Sequence, residues 1–591
     1  MSDTIHVLSD AIANQIAAGE VIQRPASVVK ELMENAVDAG ATIIRVIVKD
    51  AGKTMVQVVD NGKGMSESDA RLCFERHATS KITRAEDLFS IQTRGFRGEA
   101  LASMAAVAEI TLKTRQVEDE LGTYVRMAGS KLELQEAVQT ATGSNFQVKN
   151  LFFNIPARRK FLKSDHTELR HVITEFNHVA LTHPEIECSL IHNESDIFQL
   201  PPSNLRQRII GVLGKSANSY LIPLESETSL IGISGFIGKP EHARRTYGEQ
   251  FFFVNNRYIK HPYFHKAVMN AYDQILAADH FPSYFIYFKT DPSRIDVNIH
   301  PSKTEIKFED EKSIWKILLA SVKEAIGRNN LSPTLDFNTE GVIDIPILTK
   351  DTDVQQPSID TNPAYNPFEG ESSYDREKRS TSYPDDRFTG WEQLFEPSAE
   401  ARIAVNKNLQ IKNKYILSPV KSGLMMVDQR RAHERILFER MLEAHEKEQA
   451  LSQQSLFPET IRLNAADYQV CLGMLENLEQ LGFDIRDFGN NSIVVHGLPA
   501  EMEAVSAVDK IEMMIEQYKS LQGEISTGIP ERVARAAASA SAIDYGKQLS
   551  EIEMQELVDQ LFACSNPNYS PSGKLIVKIV ELEELDTFFK D

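Results

Sequence analysis

The residues with the most chemical promise stand early in the chain. Glu31, Asn35 and Asp38 lie in the run RPASVVKELMENAVDAGA, and at helical spacing they share one face. A carboxylate can accept a proton from water, and an amide oxygen one turn away can hold a hard cation. A solvated polar stripe is the competing reading, and this run alone does not decide between them. Asp60-Asn61-Gly62-Lys63-Gly64-Met65 follows an alternating stretch. A carboxylate at a strand end with two glycines beyond it lets a ligand ring approach the backbone, though a plain turn has the same composition. Thr79, Ser80 and Lys81 then supply hydroxyls and a cation, and Arg94-Gly95-Phe96-Arg97-Gly98-Glu99 makes a Gly-rich turn that opens a helix. Free N–H groups at such a helix start attract phosphate. A further glycine turn, ATGSNF with Ser144, precedes another strand. No GxxxxGK[ST] run occurs, so a P-loop is excluded.

These groups need elements to hold them. Pro25 suits the first turn of the helix bearing Glu31, Gly40 suits the position past its end, and Val28, Leu32 and Val37 can pack away from the polar face. TIIRVIVKDAGKTMVQVVD alternates on both sides of Gly52, which predicts a hairpin ending at Asp60. At 591 residues the chain is too long for one core. We expect an α/β (α+β) protein with a nucleotide-binding domain over 1–205 and a second α/β unit over 206–330, the latter containing QFFFVNNRYI and YFIYFKT. Residues 331–400 are rich in Pro, Ser, Asp and Asn and read as a flexible linker. Periodic patterns return over 401–591.

Bulk properties narrow the class. With a net charge of -20 the whole surface cannot attract nucleic acid, so any DNA contact must be local and salt-sensitive. No apolar run is long enough for a bilayer, and MSDTIHVLSD has no secretory character. Cys73, Cys188, Cys471 and Cys564 form no CxxC pair, which points away from zinc and from a disulfide framework. A cytosolic setting is expected.

The order of helix with Glu and Asn, DxGxG step, Gly-rich turn and glycine-led strand resembles the ATPase superfamily of gyrase, Hsp90-type chaperones, histidine kinases and MutL (GHKL). Asn14–Val21, Arg76–Lys81, Gly95–Leu101 and Asn154–Leu162 are similar to the MutL family of DNA mismatch repair proteins in particular. The resemblance implies a GHKL-type α/β sandwich, a second α/β domain of ribosomal-protein-like fold and a C-terminal α+β dimerisation domain. It implies ATP and Mg²⁺ as cofactors. Glu31 would be the general base and Asn35 the Mg²⁺ ligand. Asp60 would accept from the adenine amino group, with Gly62 and Gly64 allowing close approach. Arg94, Gly95, Phe96, Arg97 and Gly98 would form a lid, and Asp38, Thr79, Ser80, Lys81 and Ser144 would complete the nucleotide contacts. Lys303, in DVNIHPSK, would reach the γ-phosphate from the second domain. Arg158, Arg159, Lys160, Lys163, Arg257 and Lys260 are local basic residues that read either as a solvated cluster or, through the resemblance, as contacts to DNA phosphates. The implied partners are a second copy of the chain, the mismatch recognition protein MutS, DNA, a sliding clamp and a helicase. No membrane is implied, and the expected location is cytoplasmic, at the nucleoid during repair.

Some MutL relatives carry a nicking site whose hallmark is DQHA-x2-E-x4-E. Here Asp428, Glu434 and Glu439 stand in that pattern, but Arg430 occupies the histidine position. A guanidinium cannot be a ligand. The downstream segments around Ala538–Gly546 and Ser570–Leu575 lack the expected Cys and His. We therefore expect no intrinsic endonuclease, with a nicking enzyme of divergent metal site as the alternative. Gln453, Leu456 and Pro458 fit a QxxLxP clamp-docking pattern, although Leu456 and Phe457 read equally well as a buried strand edge. Gln393-Leu394-Phe395 in the linker is a second short candidate. A chaperone clamp is disfavoured by GFRGEAL and PARRKFL. A topoisomerase is disfavoured by the lack of a cleavage domain, and a histidine kinase by the few residues before the site.

Overall fold

The computed structural model describes residues 18–79, 98–296, 306–330, 408–447, 452–499, 507–521 and 528–587, apart from positions 20, 274 and 277–279. The expected linker lies outside the described residues.

The helix α1 (Pro25–Asp38) forms where the Pro and Gly signals place it, with Pro25 in the first turn and Gly40 at φ 75 beyond the end. It is followed by the hairpin β1 (Ile43–Lys49) and β2 (Met55–Asp60), paired antiparallel with Ile44 opposite Asp60. After α2 (Glu67–Leu72) and α3 (Ala100–Val107) come β3 (Glu109–Arg115), β4 (Gly122–Ala128), β5 (Lys131–Val138) and β6 (Gly143–Lys149). The domain closes with α4 (Pro156–Phe161), α5 (Asp165–Thr182), β7 (Glu187–His192) and β8 (Ser195–Leu200). Its sheet runs β5-β4-β3-β6-β2-β1-β7-β8. Ile44, Val46 and Val48 of β1 alternate inward, and they join Val28, Val29, Leu32 and Met33 of α1 and Val172, Ile173 and Phe176 of α5 in one core. Because α1 turns its apolar stripe to this core, Glu31, Asn35 and Asp38 are left partly exposed on the far side.

The second α/β domain holds α6 (Leu205–Leu213), β9 (Leu221–Glu227), β10 (Gly232–Gly238), β11 (Gln250–Val254), β12 (Arg257–Ile259), α7 (Pro262–Ala271) and β13 (Tyr284–Lys289). The short pair β14 (Ile295–Asp296) and β15 (Lys307–Phe308) leads to α8 (Glu311–Asn330). Its sheet runs β12-β11-β13-β10-β9, with β11 parallel to β13. Phe251, Phe253 and Phe285 project from this sheet into the first domain's core. There the His178 ring of α5 stacks on Tyr258 at 3.6 Å, and Tyr287 donates to the Leu181 carbonyl at 2.8 Å.

The C-terminal region has two cores. One is built on β16 (Leu409–Ile411), β17 (Tyr415–Val420), β18 (Gly423–Asp428) and the start of α9 (Gln429–Lys447). The other, a helical lobe, contains β19 (Ser452–Arg462), α10 (Ala465–Leu472), α11 (Leu475–Gln480), β20 (Asp484–Gly489), β21 (Ser492–Pro499), α12 (Ala507–Leu521) and α13 (Ile529–Ser541). The chain returns to the first core through α14 (Glu551–Ala563), β22 (Val577–Glu581) and α15 (Leu582–Thr587). The end of α9 reaches the lobe through Leu437, Phe438 and Met441. Among the described residues no helix is long and apolar enough to cross a membrane.

Candidate nucleotide site and the altered C-terminal carboxylate cluster

Asp60 ends β2 at 8% exposure. Its Oδ1 accepts from the Gly62 N–H at 2.9 Å, and its carboxylate also accepts from the Ser144 backbone N–H. Burial pushes its pKa above the ordinary carboxylate value, and the two N–H bonds oppose that shift. The sheet explains the grouping. β6 lies between β3 and β2, so Ser144 stands opposite both Asp60 and Thr114. The Thr114 hydroxyl donates to the Gly143 carbonyl at 2.9 Å, lies 3.1 Å from Ser144 Oγ and accepts from the Met65 N–H at 3.0 Å. Thr114 thus ties the DxGxG step to the glycine strand, a role that its local sequence does not signal.

Three glycines allow this packing. A Cβ on Gly143, at φ +108, would stand 2.1 Å from the Asp60 carbonyl oxygen. On Gly64, at φ +70, it would stand 2.1 Å from the Arg115 carbonyl oxygen, and on Gly62 it would press on Ala39 at 2.9 Å. Asn61 has a scaffold role: its Oδ1 accepts from the Thr42 and Ile43 N–H groups, both at 2.8 Å, bracing the β1–β2 ends. Lys63 N–H donates to the Ala39 carbonyl at 3.1 Å, which seats the DxGxG step against the C-terminal end of α1.

The fold thus brings the end of α1, Asp60, Gly62, Gly64 and Ser144 together. Gly98, at φ +60, packs against Ala78, next in sequence to Thr79, and Glu99 lies 3.8 Å from His77. Ser80, Lys81, Arg94, Gly95, Phe96, Arg97 and Lys303 lie outside the described residues.

The basic residues divide. Arg159, Lys160 and Lys260 are exposed, and Arg158 is half-buried over Gly19 with its guanidinium 5.9 Å from the Phe152 ring centroid. Arg257, at the start of β12, is set toward α1 instead. Burial lowers its guanidinium pKa, against the attraction of Glu34, Asp38 and Glu31.

In the C-terminal region Asp428 ends β18 at 4% exposure. The Tyr545 hydroxyl lies 3.1 Å from its Oδ1 and 3.0 Å from its Oδ2, and the Arg431 N–H donates to Oδ1 at 3.1 Å. Arg430 pairs with Asp544 at 2.8 Å and lies over the Tyr545 ring. Glu439 is held by Arg435 at 2.6 Å and by the Ser565 N–H and hydroxyl, each at 2.7 Å. Burial raises the pKa of Glu434, opposed by Arg430, Lys574, Arg431 and Arg535. His433 Nδ1 accepts from the Ile543 N–H at 3.1 Å. Among the described residues no three His, Cys, Asp or Glu side chains are grouped to hold a metal. In β19, Leu456 and Phe457 are 93% and 83% exposed, which rules out the buried-edge reading of that segment.

Residues 23–152 match the family described as histidine kinase-, DNA gyrase B-, and HSP90-like ATPase, so the site belongs to a GHKL-type ATPase domain. Residues 209–327 match the DNA mismatch repair protein, C-terminal domain, and residues 409–549 match the MutL C terminal dimerisation domain. The DNA mismatch repair protein MutL of Bacteroides fragilis is 48% identical over 630 residues, and that of Parabacteroides distasonis 48% over 625, with both chains fully covered in each case. The chain belongs to the MutL family of DNA mismatch repair proteins. A solved N-terminal domain of a DNA repair protein is also similar, at 25% identity and TM-score 0.48, covering 54% of this chain and 99% of that one.

Proposed function

We propose that the chain is a mismatch repair matchmaker: an ATP-gated homodimeric clamp that hydrolyses ATP, binds DNA weakly through phosphates, and couples mismatch recognition by MutS to excision factors. The observation that carries the ATP reading is the buried Asp60 carboxylate, held by the Gly62 and Ser144 N–H groups beside glycines that admit no side chain. Asp60 selects adenine by accepting from its amino group. Glu31, partly exposed on the open face of α1, orients the attacking water and takes its proton. Asn35, one turn on, offers an amide oxygen, which fits a hard cation. It would hold Mg²⁺, which neutralises phosphate charge when bound. Arg94 to Gly98, Thr79, Ser80, Lys81 and Lys303 are assigned to the phosphates on family resemblance. Glu31→Ala should keep ATP affinity and lose turnover by about 10²-fold or more. Wild-type turnover in that variant would remove the assignment.

DNA contact is assigned to Arg158, Arg159, Lys160 and Lys260. Arg257 is a further proposed phosphate contact, for which the nearby carboxylates of α1 would compete. DNA affinity should fall steeply as salt rises. Dimerisation is assigned to the C-terminal region, on the matched dimerisation family. Exposure of Leu456 and Phe457 favours clamp docking by Gln453, Leu456 and Pro458. Gln453→Ala with Leu456→Ala should abolish capture by an immobilised sliding clamp, and unchanged capture would end that reading. We assign no nuclease to the chain, because its remaining acidic residues are bonded to Tyr545, Arg431, Arg435 and Ser565 or face cations. Supercoiled plasmid with Mn²⁺ and clamp should stay intact, and nicking would favour the divergent metal site.

A further inference from the structure

The helical lobe touches both N-terminal domains at once. On the ATPase side, α10 lies along α5: a Cβ on Gly473 would stand 3.1 Å from the Cβ of His166, and Ala465 enters the N-terminal core. Arg170 of α5 feels the charges of Asp467 and Glu516 from the lobe. On the side of the second domain, both backbone groups of Tyr247 are taken by α12. The Tyr247 N–H donates to Glu516 Oε2 at 3.0 Å, and Lys519 Nζ donates to the Tyr247 carbonyl at 2.8 Å. The same ammonium lies 3.0 Å from Asp467 and 2.7 Å from Glu516, and its side chain is 12% exposed. Glu512, 8% exposed, accepts from the Arg245 N–H and faces Arg244, itself 3.5 Å from Glu249. Arg462 of β19 covers Gly214 at the end of α6.

We propose that this lobe is an intrachain staple that holds the second domain against α5 and so paces ATP turnover. The pacing rests on the ATPase reading above; the staple itself rests on the contacts. A turnover cycle needs the second domain, which carries Lys303, to take more than one position relative to the nucleotide. An element bonded to both domains favours one position and slows the cycle. The core that Ala465 of the lobe enters also holds α1 and α5, so the restraint passes through α5 to the helix bearing Glu31 and Asn35. The contact is built around charged groups, so salt weakens its exposed rim more than its buried centre.

The test uses the full chain with Cys73→Ser and Cys564→Ser, carrying His166→Cys and Gly473→Cys. A disulfide spans Cβ atoms about 3.8 Å apart, so the pair needs only a small adjustment. Oxidation at low salt should give a fast-migrating, internally cross-linked monomer. ATP turnover in that form should be at least about threefold below that of the same sample after reduction. Adding Lys519→Glu should cut the cross-linking rate by about fivefold or more and speed turnover of the uncross-linked protein, while Lys519→Arg should restore both. No cross-link, or only a covalent dimer, overturns the intrachain staple. Equal turnover in oxidised and reduced protein overturns pacing. A cross-link formed in a protein that hydrolyses no ATP in either state overturns the ATPase reading, and pacing with it, while the staple stands.

Discussion

Asp60 and Asp428 have much in common locally. Each is the last residue of a β-strand, each is buried, and each lies beside a helix that carries further carboxylates. They differ in what their oxygens accept. Asp60 is held by backbone N–H groups from Gly62 and Ser144, with glycines around it that leave the backbone open to approach. Asp428 is covered by the Tyr545 hydroxyl and the Arg431 backbone and side chain, and the neighbouring position 430 carries a cation. Backbone donors fix a carboxylate and leave room for a ligand. Side-chain donors fill that room. The same residue type is therefore left open to a ligand in one region and closed into internal cohesion in the other.

The largest expected effect follows from the glycine that makes Asp60 approachable. Gly143→Ala puts a Cβ 2.1 Å from the Asp60 carbonyl oxygen at φ +108. Left-handed strain alone costs about 1–3 kcal/mol, and the backbone clash adds to it. ATP binding should be lost and the urea midpoint should drop. Titration of a fluorescent ATP analogue together with urea unfolding measures both, and retained affinity would show that the glycine strand does not shape the site.

Next in size is the C-terminal counterpart. Asp428→Asn replaces two acceptor oxygens by one and turns an amide donor toward a tyrosine hydroxyl or an arginine. The loss should be about 1–3 kcal/mol in unfolding free energy at neutral pH, with ATP turnover unchanged. Removing the donor, by Tyr545→Phe, should cost less than removing the acceptor, because Arg431 remains on Asp428. An equal or stabilising result for Asp428→Asn would mean that this cluster is not holding the fold together.

How much of this could be read from the sequence depended on distance along the chain. The helix bearing Glu31 and the β1–β2 hairpin are local patterns, with Pro25, Gly40 and Gly52 as punctuation, and both stand where the pattern puts them. Thr114 was invisible because only the sheet order β3-β6-β2 carries it to Ser144 and Asp60. Loss of the histidine and cysteine ligands in the C-terminal motifs was plain, since absence of a residue type needs no geometry. Their replacement by Tyr545 on Asp428 was not, because the two are 117 residues apart. The grip of Glu516 and Lys519 on Tyr247 spans 269 and 272 residues, and no local signal marks it. Arg257 reads from its basic segment and the family resemblance as a DNA contact, and nothing local signals what lies beside it. Its neighbours across the fold are the carboxylates of α1.

The finest test sets the same substitution at the two aspartates against each other. Burial raises the Asp60 pKa above its unfolded value of 3.8. A carboxyl raised in this way favours folding when protonated, below its unfolded pKa, and that contribution is lost as pH rises through the folded pKa. Ionising this carboxyl therefore costs folding free energy in wild type, a cost that the proposed adenine contact would explain. Asp60→Asn removes that charge, keeps an oxygen for the Gly62 N–H and weakens the bond from the Ser144 N–H, a loss smaller than the relief because burial outweighs both N–H bonds at this carboxyl. The variant should unfold at higher urea than wild type at pH 7, with the advantage shrinking as pH falls toward the ordinary carboxylate range, and it should bind ATP poorly. Asp428→Asn should move the other way at pH 7. Urea midpoints for both variants at neutral and mildly acidic pH give the comparison directly. Equal signs at the two positions would mean that backbone and side-chain donors do not set the two aspartates apart.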